Sequence, residues 1–260
     1  MEEKYVLTKM HQQVLAITLN RPDKFNSFNR AMALQLQDAL TYAQQNKDVR
    51  AVLITANGKA FCAGQDLGEA IDSTGPGIEK IVREHYNPII TLIRDLNKPV
   101  VCAVNGVAAG AGANIALACD LVVAAISASF IQAFSKIGLI PDSGGTFFLP
   151  RLIGFQRAAA LMFTGEKIGA ADAMQMGMVY KVFEDGDLIA KSMELAQSLS
   201  AMPTGAIAMT KKLLNQSLTN NLNEQLAQEL THQVNAAATY DYNEGVSAFL
   251  EKRKPVFKGE

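Results

Sequence analysis

The stretch KPVVCAVNGVAAGAGANIALACDLVVAA occupies residues 98–125 and alternates between apolar runs and small residues. Apolar, β-branched runs at 100–104 and 121–125 predict two strands. Between them, a segment rich in glycine and alanine leads into a predicted helix near 112–118. This order favours parallel strands joined by a right-handed crossover, so the sequence predicts a protein of the α/β class.

The same alternation extends toward the N-terminus. Runs at 13–19 and 50–55 predict strands, and the segment 29–46 between them carries apolar residues at helical spacing. Another helix is predicted near 78–95. Together these segments predict one core domain over residues 1–185.

From about residue 186 the pattern predicts helices alone, at 187–200, 205–217, 221–237 and 242–252. No linker rich in glycine, proline or serine precedes them, so we expect residues 186–260 to dock on the core as a helical region. Its apolar residues outnumber those that one layer of helices can bury, which predicts a homotrimer or a dimer of trimers. These residues are Leu188, Leu195, Leu199, Leu213, Leu226 and Leu230.

The charge is nearly balanced, with 24 basic and 25 acidic residues and a formal net charge of -1. Such a chain has no overall field toward nucleic acid or an anionic membrane, so neither is expected as a partner. An anionic ligand would need a local site. The three cysteines, Cys62, Cys102 and Cys119, form neither a CxxC pair nor an even set, which favours a reducing, cytoplasmic location. The acidic start MEEKYVLTKM is unlike a secretory signal.

Two glycine-rich segments follow predicted strands, KAFCAGQDL at 59–67 and NGVAAGAGAN at 105–114. If the two loops face one point, two backbone N–H groups can surround a carbonyl oxygen and form an oxyanion hole. Tight turns with close helix packing are the alternative. Neither segment contains GxGxxG or GxxxxGK[ST], which argues against nucleotide binding in those styles.

A third segment, GLIPDSGGT at 138–146, combines a proline turn with a glycine pair. Asp142 within it suits a general base, and it equally suits a turn former or the N-cap of a following helix. The histidines lie in no motif that suggests a nucleophilic triad, and no spacing typical of a metal site occurs. Cys62, beside the first glycine loop, suits a nucleophile or, more simply, a small buried filler.

Taken together, five segments resemble the crotonase (enoyl-CoA hydratase/isomerase) family in order and spacing. They are LNRPDKFNSF at 19–28, AFCAGQDL at 60–67, the stretch at 98–125, GLIPDSGGT at 138–146 and GVSAFLEKRKPVF at 245–257. The resemblance covers essentially the whole chain. It implies a spiral of β-β-α turns with a C-terminal helical trimerisation region. It also implies acyl-CoA substrates and no cofactor, since coenzyme A is part of the substrate.

The resemblance also implies which residues form the site. The backbone N–H groups of Gln65 and Ala111 match the family's oxyanion hole, and Asp142 matches the catalytic aspartate of several family isomerases. Contacts with the acyl group and with CoA are expected from Lys24, Phe25, Ala63, Gly64, Asp66, Leu67, Tyr86, Gly110, Asn114, Phe134, Phe249 and Lys252. Tyr86 equally suits core packing, and Lys252 equally suits a solvated charge.

Two departures from the family's hydratases narrow the expected reaction. Hydratases carry glutamates at the positions of Asn114 and Phe134, because adding water needs one carboxylate to orient it and another to exchange protons. Neither side chain here can transfer a proton. The resemblance therefore implies an isomerase with Asp142 as its single acid/base.

The phrases FCAGQDL at 61–67 and FSKIGLIPDSGGT at 134–146 are most similar to family members that isomerise the ring epoxide of a phenylacetyl thioester. Movement of a double bond from the 3 to the 2 position of an enoyl-CoA is the other expected reaction. A plain enoyl-CoA hydratase and a non-catalytic RNA-binding homologue are the alternatives.

Overall fold

The strands of the protein form two sheets in the computed structural model, which describes residues 3–260. The large sheet contains, in spatial order, β1 (Val6–His11), β2 (Val14–Leu19), β3 (Ala51–Ala56), β5 (Val100–Val104), β7 (Leu121–Ala125) and β10 (Lys181–Phe183). The small sheet contains β4 (Ala60–Cys62), β6 (Val107–Ala109), β8 (Ser129–Ile131) and β9 (Lys167–Gly169). Neighbouring strands are parallel except for β1 with β2 and β8 with β9, so the predicted parallel α/β arrangement is confirmed.

From β3 to β8, successive strands alternate between the two sheets. β3 lies in the large sheet and β4 in the small one, and the pairs β5 with β6 and β7 with β8 repeat this step. After each pair, helical residues return the chain toward the next strand. Each turn is therefore a β-β-α unit, and the spiral that the resemblance implied is confirmed.

Twelve α-helices occur within residues 3–260. Those of the core are α1 (Arg30–Gln45), α2 (Leu67–Ile71), α3 (Gly77–Lys80), α4 (Asn87–Asp95), α5 (Ala111–Ala118), α6 (Gly145–Ile153), α7 (Phe155–Thr164) and α8 (Ala170–Gln175). Those of the C-terminal region are α9 (Leu188–Ser200), α10 (Thr204–Gln216), α11 (Leu222–Ala237) and α12 (Tyr240–Leu250). None of them is long and apolar enough to cross a membrane.

The helix predicted near 78–95 consists of three consecutive pieces, with a π-helix over Ile81–Tyr86 between α3 and α4. Pro88, the second residue of α4, has no N–H with which to bond the carbonyl of Glu84. The side chain of Gln37 fills this gap, because its Nε2 donates to the carbonyl oxygens of Glu84 at 2.8 Å and of His85 at 3.1 Å. The regular α-helical bonding is thus interrupted where the π-helix meets α4.

The helix α5 is buried along its whole length because its residues are small. All eight of its residues, from Ala111 to Ala118, are buried. A Cβ atom added to Gly112 would lie 2.5 Å from the carbonyl oxygen of Cys62, so glycine is needed for α5 to lie this close to β4. This contact fixes the N-terminus of α5 beside the loop that follows β4.

The C-terminal helices differ in how firmly they join the core. α9 packs on β3 and β5 and buries Leu188 and Ala196. α10 is fixed by Lys211, whose buried ammonium donates to Asp120 at 2.8 Å. α11 buries no residue, and Leu226 within it is 51% exposed. The apolar residues of α11 thus lie on the outside of a single chain.

Candidate active site

A cavity of about 250 Å³ lies where the loops after β4 and β6 meet the π-helix and the loop before α6. Nine of the residues singled out in the sequence line it, namely Ala63, Gly64, Gln65, Leu67, Tyr86, Gly110, Ala111, Phe134 and Asp142. The other lining residues are Ala70, Ile78, Ile81, Val82, Ala133, Lys136, Ile137 and Leu139. The wall is therefore mostly apolar, with few polar groups, as is usual for a small-molecule site.

The first glycine loop presents the N–H group of Gln65. A parallel bridge joins Phe28 to this loop, with Phe28 N donating to Gly64 O at 2.7 Å and Asp66 N donating to Phe28 O at 2.8 Å. Both bonds use the peptides that flank Gln65, and within residues 3–260 the N–H of Gln65 itself has no acceptor. That N–H is available to a ligand.

The second glycine loop presents the N–H group of Ala111. Gly110 has a φ of 53°, which favours glycine, and its N–H donates to Ile131 O at 2.9 Å. Ala111 is the first residue of α5, so its N–H has no partner within the helix. No other acceptor among the described residues replaces that partner.

The two loops approach each other closely at Gly64. A Cβ atom added there would lie 3.1 Å from Ala109 O and 3.6 Å from Ala111 N, and the φ of Gly64 is 92°. A side chain at this position would therefore be both strained and crowded. Glycine allows two free N–H donors to line one cavity, which is the arrangement that stabilises an oxyanion.

Cys62, the last residue of β4, is fully buried and lies next to these loops. Its Sγ accepts a hydrogen bond from Gly64 N at 3.4 Å. Burial raises the pKa of its thiol to about 12, so it holds almost no thiolate near neutral pH. The filler role of Cys62 is therefore better supported than the nucleophile role.

The loop before α6 presents the carboxyl group of Asp142. Ser143 and Gly144 have φ values of 52° and 72°, and Ser143 Oγ donates to Asp142 Oδ1 at 2.9 Å. The N-cap of α6 is Gly144, without a side-chain hydrogen bond, so the alternative role of Asp142 as a cap does not apply. Asp142 is the single carboxylate among the described residues that line the cavity.

The buried side-chain amides of Asn114 and Gln132 hold this loop in place through hydrogen bonds. Asn114 Nδ2 donates to the carbonyl oxygen of Asp142 at 2.9 Å, and Gln132 Nε2 donates to Asn114 Oδ1 at 2.8 Å. Asn114 is fully buried and does not line the cavity. Sequence reasoning missed Gln132, because nothing in its local pattern distinguishes it from a polar residue at a strand end.

Burial raises the pKa of the Asp142 carboxyl, and the hydrogen bond from Ser143 offsets this effect in part. For Asp142 as the general base that the sequence predicts, the acid limb of the pH–rate profile should lie above the ordinary aspartate pKa of about 3.9, because the group must ionise to accept a proton. Measurement of kcat/KM against pH tests this. An acid limb at the ordinary value would contradict it.

The same pKa shift has the opposite consequence for stability. A raised folded-state pKa means that ionisation of Asp142 costs free energy in the fold, so its contribution to stability is present at low pH and is lost as pH rises through that pKa. Asp142→Asn should thus be more stable than the wild type at neutral pH, and this gain should shrink as pH falls. Denaturant unfolding of both proteins across that range measures it.

The remaining predicted site residues lie outside the cavity lining of one chain. The carbonyl of Phe25 accepts a bond from Ala63 N at 3.0 Å, which places Phe25 next to the first loop, one residue after the exposed Lys24. Asp66 caps α2 and pairs with Arg21 at 2.7 Å. Phe249, at 83% exposure, lies at the end of α12, and Lys252 lies just after that helix. The contacts of these residues with CoA remain predictions.

Comparison with known proteins gives consistent matches over nearly the whole chain. Residues 9–260 match the sequence profile described as Enoyl-CoA hydratase/isomerase. The chain is 44% identical, over 99% of both sequences, to the "1,2-epoxyphenylacetyl-CoA isomerase" of Escherichia coli (strain K12). It is also 44% identical, over 96% of both, to the "Probable enoyl-CoA hydratase" of Rhodobacter capsulatus.

Solved structures agree with the fold. The crystal structure titled as the enoyl-CoA hydratase from Bacillus anthracis superposes with a TM-score of 0.92 at 35% identity, covering 99% of this chain and 100% of that one. A profile match over most of the chain and relatives of this identity establish a common family. The protein is an enzyme that belongs to the enoyl-CoA hydratase/isomerase (crotonase) family.

Proposed function

We propose that the protein is an acyl-CoA isomerase in which Asp142 is the single acid/base and the N–H groups of Gln65 and Ala111 hold the enolate oxygen. The observation that carries this proposal is the composition of the cavity wall, where one carboxylate and two free N–H donors lie among mostly apolar side chains. The lysine of the wall, Lys136, is exposed. Addition of water calls for two proton-handling groups, whereas a proton shift along a carbon chain needs one.

The reaction begins with transfer of a proton from the carbon α to the thioester to the Asp142 carboxylate. Negative charge then develops on the thioester oxygen, where two preorganised donors stabilise it. Asp142 returns the proton to another carbon of the conjugated system, so the product is an isomer of the substrate and no other reactant is consumed. The apolar wall keeps water away from the enolate.

The substrates proposed are the ring epoxide, 1,2-epoxyphenylacetyl-CoA, which would give oxepin-CoA, and a linear 3-enoyl-CoA, which would give the 2-enoyl-CoA. The relative from Escherichia coli supports the first by its name. The wall supports either acyl group, because it includes the rings of Tyr86 and Phe134 and the aliphatic side chains of Ile78 and Ile81. Both reactions use the same α-proton transfer. With the ring epoxide, the carbon–carbon bond shared by the epoxide and the six-membered ring also breaks, so the ring expands to the oxepin without a further reactant.

A panel of synthetic thioesters tests the proposal: the ring epoxide, a 3-enoyl-CoA and the 2-enoyl thioester crotonyl-CoA. Isomerisation of either of the first two, without efficient hydration of the third, is expected. A hydratase is the second candidate, favoured by the name of the relative from Rhodobacter capsulatus. Efficient hydration of crotonyl-CoA would establish that candidate instead.

We also propose that the protein assembles as a trimer or a dimer of trimers through its C-terminal helices. Leu230 and Phe249 are 68% and 83% exposed in one chain, and burial against another copy would remove this apolar surface from water. Light scattering at micromolar concentration should give a mass at least three times the 28.0 kDa of one chain. A monomer at that concentration would contradict the assembly.

A further inference from the structure

The side chain of Gln65 is held at both ends of its amide group. Tyr86 Oη donates to Gln65 Oε1 at 2.8 Å, and Gln65 Nε2 donates to Glu69 Oε2 at 2.9 Å. The other oxygen of Glu69 accepts from Arg30 N at 2.8 Å. Because an ionised carboxylate only accepts hydrogen bonds, Glu69 sets the orientation of the amide and leaves its oxygen for the tyrosine.

Tyr86 is fixed firmly enough to position a neighbour. It is fully buried, and its ring packs edge-on against Phe28, with the ring centroids 5.9 Å apart and the planes at 71°. It is the last residue of the π-helix, which is fixed from outside by the bonds of Gln37 to the carbonyls of Glu84 and His85. The hydroxyl of Tyr86 therefore has little freedom to leave Gln65.

The backbone at Gln65 is constrained by the same neighbour. Phe28 bonds the peptides on both sides of Gln65 through its backbone, and its ring packs against Tyr86. Backbone and side-chain restraints thus converge on one residue, whose N–H faces the substrate in the proposed function. A carbonyl oxygen is stabilised best by a donor that does not need to reorient.

We infer that Tyr86 is a positioning residue, which acts through the side chain of Gln65 to hold the Gln65 N–H in place for the thioester oxygen. This inference rests on the proposed function for the role of that N–H. It gives Tyr86 a role in the reaction beyond packing and beyond contact with the acyl group. Glu69 is the second anchor of the same side chain.

The first test compares Tyr86→Phe with the wild type, since this change removes the hydroxyl and keeps the ring that packs on Phe28. We expect kcat for a 3-enoyl-CoA to fall about tenfold with little change in KM, which is part of the 100- to 1,000-fold cost of losing an oxyanion donor outright. Tyr42→Phe is the matched control, because Tyr42 is half exposed and its hydroxyl also pairs with one side-chain amide, accepting a hydrogen bond from Asn46 Nδ2 at 2.7 Å.

A spectroscopic probe measures how strongly the oxyanion donors polarise a bound thioester carbonyl, without the chemical step. In 4-hydroxycinnamoyl-CoA the phenol is conjugated with the thioester carbonyl, so polarisation of that carbonyl moves the absorption band to longer wavelength. The bound probe should show this shift in the wild type and in Tyr42→Phe, and a clearly smaller one in Tyr86→Phe. An equal shift and an equal kcat in Tyr86→Phe would overturn the inference.

A double-mutant cycle separates positioning from general packing. Gln65→Ala removes the side chain that Tyr86 holds and keeps the backbone N–H. If Tyr86 acts through Gln65, Tyr86→Phe should have almost no further effect on kcat or on the probe in the Gln65→Ala background. Additive losses would show that the hydroxyl of Tyr86 acts by another route and would overturn the inference.

Failure of the proposed function would look different. Asp142→Asn should lose turnover and keep the spectral shift of the probe, since the base and the donors are separate groups. If the wild type does not isomerise the thioesters, the proposed function fails, and the shifts in the wild type and Tyr86→Phe still decide whether the hydroxyl positions the donor. No shift in the wild type would overturn the inference itself.

Discussion

Asp142→Asn should lower turnover of a 3-enoyl or ring-epoxide thioester by about 10²- to 10⁴-fold, the usual cost of losing a general base. The loss should lie at the upper end, because the described residues that line the cavity include no second carboxylate to replace it. Asparagine has nearly the same shape and can still accept the bond that Ser143 Oγ donates to Oδ1. The change therefore removes the base and leaves the loop in place.

The measurement is kcat on both thioesters, together with the affinity for a CoA ligand and the unfolding free energy of each protein. Affinity should be unchanged, because Asp142 approaches the acyl end of the proposed substrate. Asp172→Asn is the matched control, an exposed aspartate in α8 outside the cavity lining. Turnover by Asp142→Asn at near the wild-type rate would refute the mechanism.

The longer elements of the fold were predictable because their signals are local. The strand Val100–Val104 is a continuous apolar run, and α1 carries apolar residues at helical spacing. The strands of the small sheet were missed, because Ala60–Cys62 and Val107–Ala109 have three residues each and lie inside the glycine-rich segments. Such short runs pair across long stretches of sequence, so no local period indicates them.

The residues of the candidate site were predictable where they lie in a family motif. They were not predictable where only their hydrogen bonds in the folded chain give them a role. Asp142, Gln65 and Ala111 stand in segments that resemble the family, and the structure places all three on one cavity. Gln132 and Glu69 do not stand out in the sequence, since their roles arise from hydrogen bonds to residues 18 and 4 positions away.

The structure explains why an amide side chain suits position 114. Asn114 accepts from Gln132 and donates to the carbonyl of Asp142, so it needs both halves of a carboxamide. A carboxylate there has no N–H to offer and would place negative charge against that carbonyl. In the proposed function, where Asp142 is the single acid/base, such an amide holds the loop and does not compete for the proton.

Ala111→Pro should reduce kcat by about 10²- to 10³-fold, because it deletes one oxyanion donor and fills its place with the proline ring. Proline is well tolerated at the first position of a helix, where the missing N–H has no intrahelical partner. The preceding residue, Gly110, has φ 53° and ψ -126°, the mirror image of the extended conformation that proline favours before it, and glycine adopts either hand. The helix should therefore persist while the donor is lost.

The matched control is Phe155→Pro, which removes the corresponding N–H from the exposed first residue of α7, outside the cavity lining. Gly154 before it has a ψ of 157°, in the extended range that proline favours before it, so the substitution suits the backbone there as well. This control should keep wild-type turnover, whereas Ala111→Pro should lose both turnover and part of the spectral shift of bound 4-hydroxycinnamoyl-CoA. Full activity of Ala111→Pro, with the fold confirmed by circular dichroism, would mean that the enolate oxygen is held somewhere other than between Gln65 and Ala111.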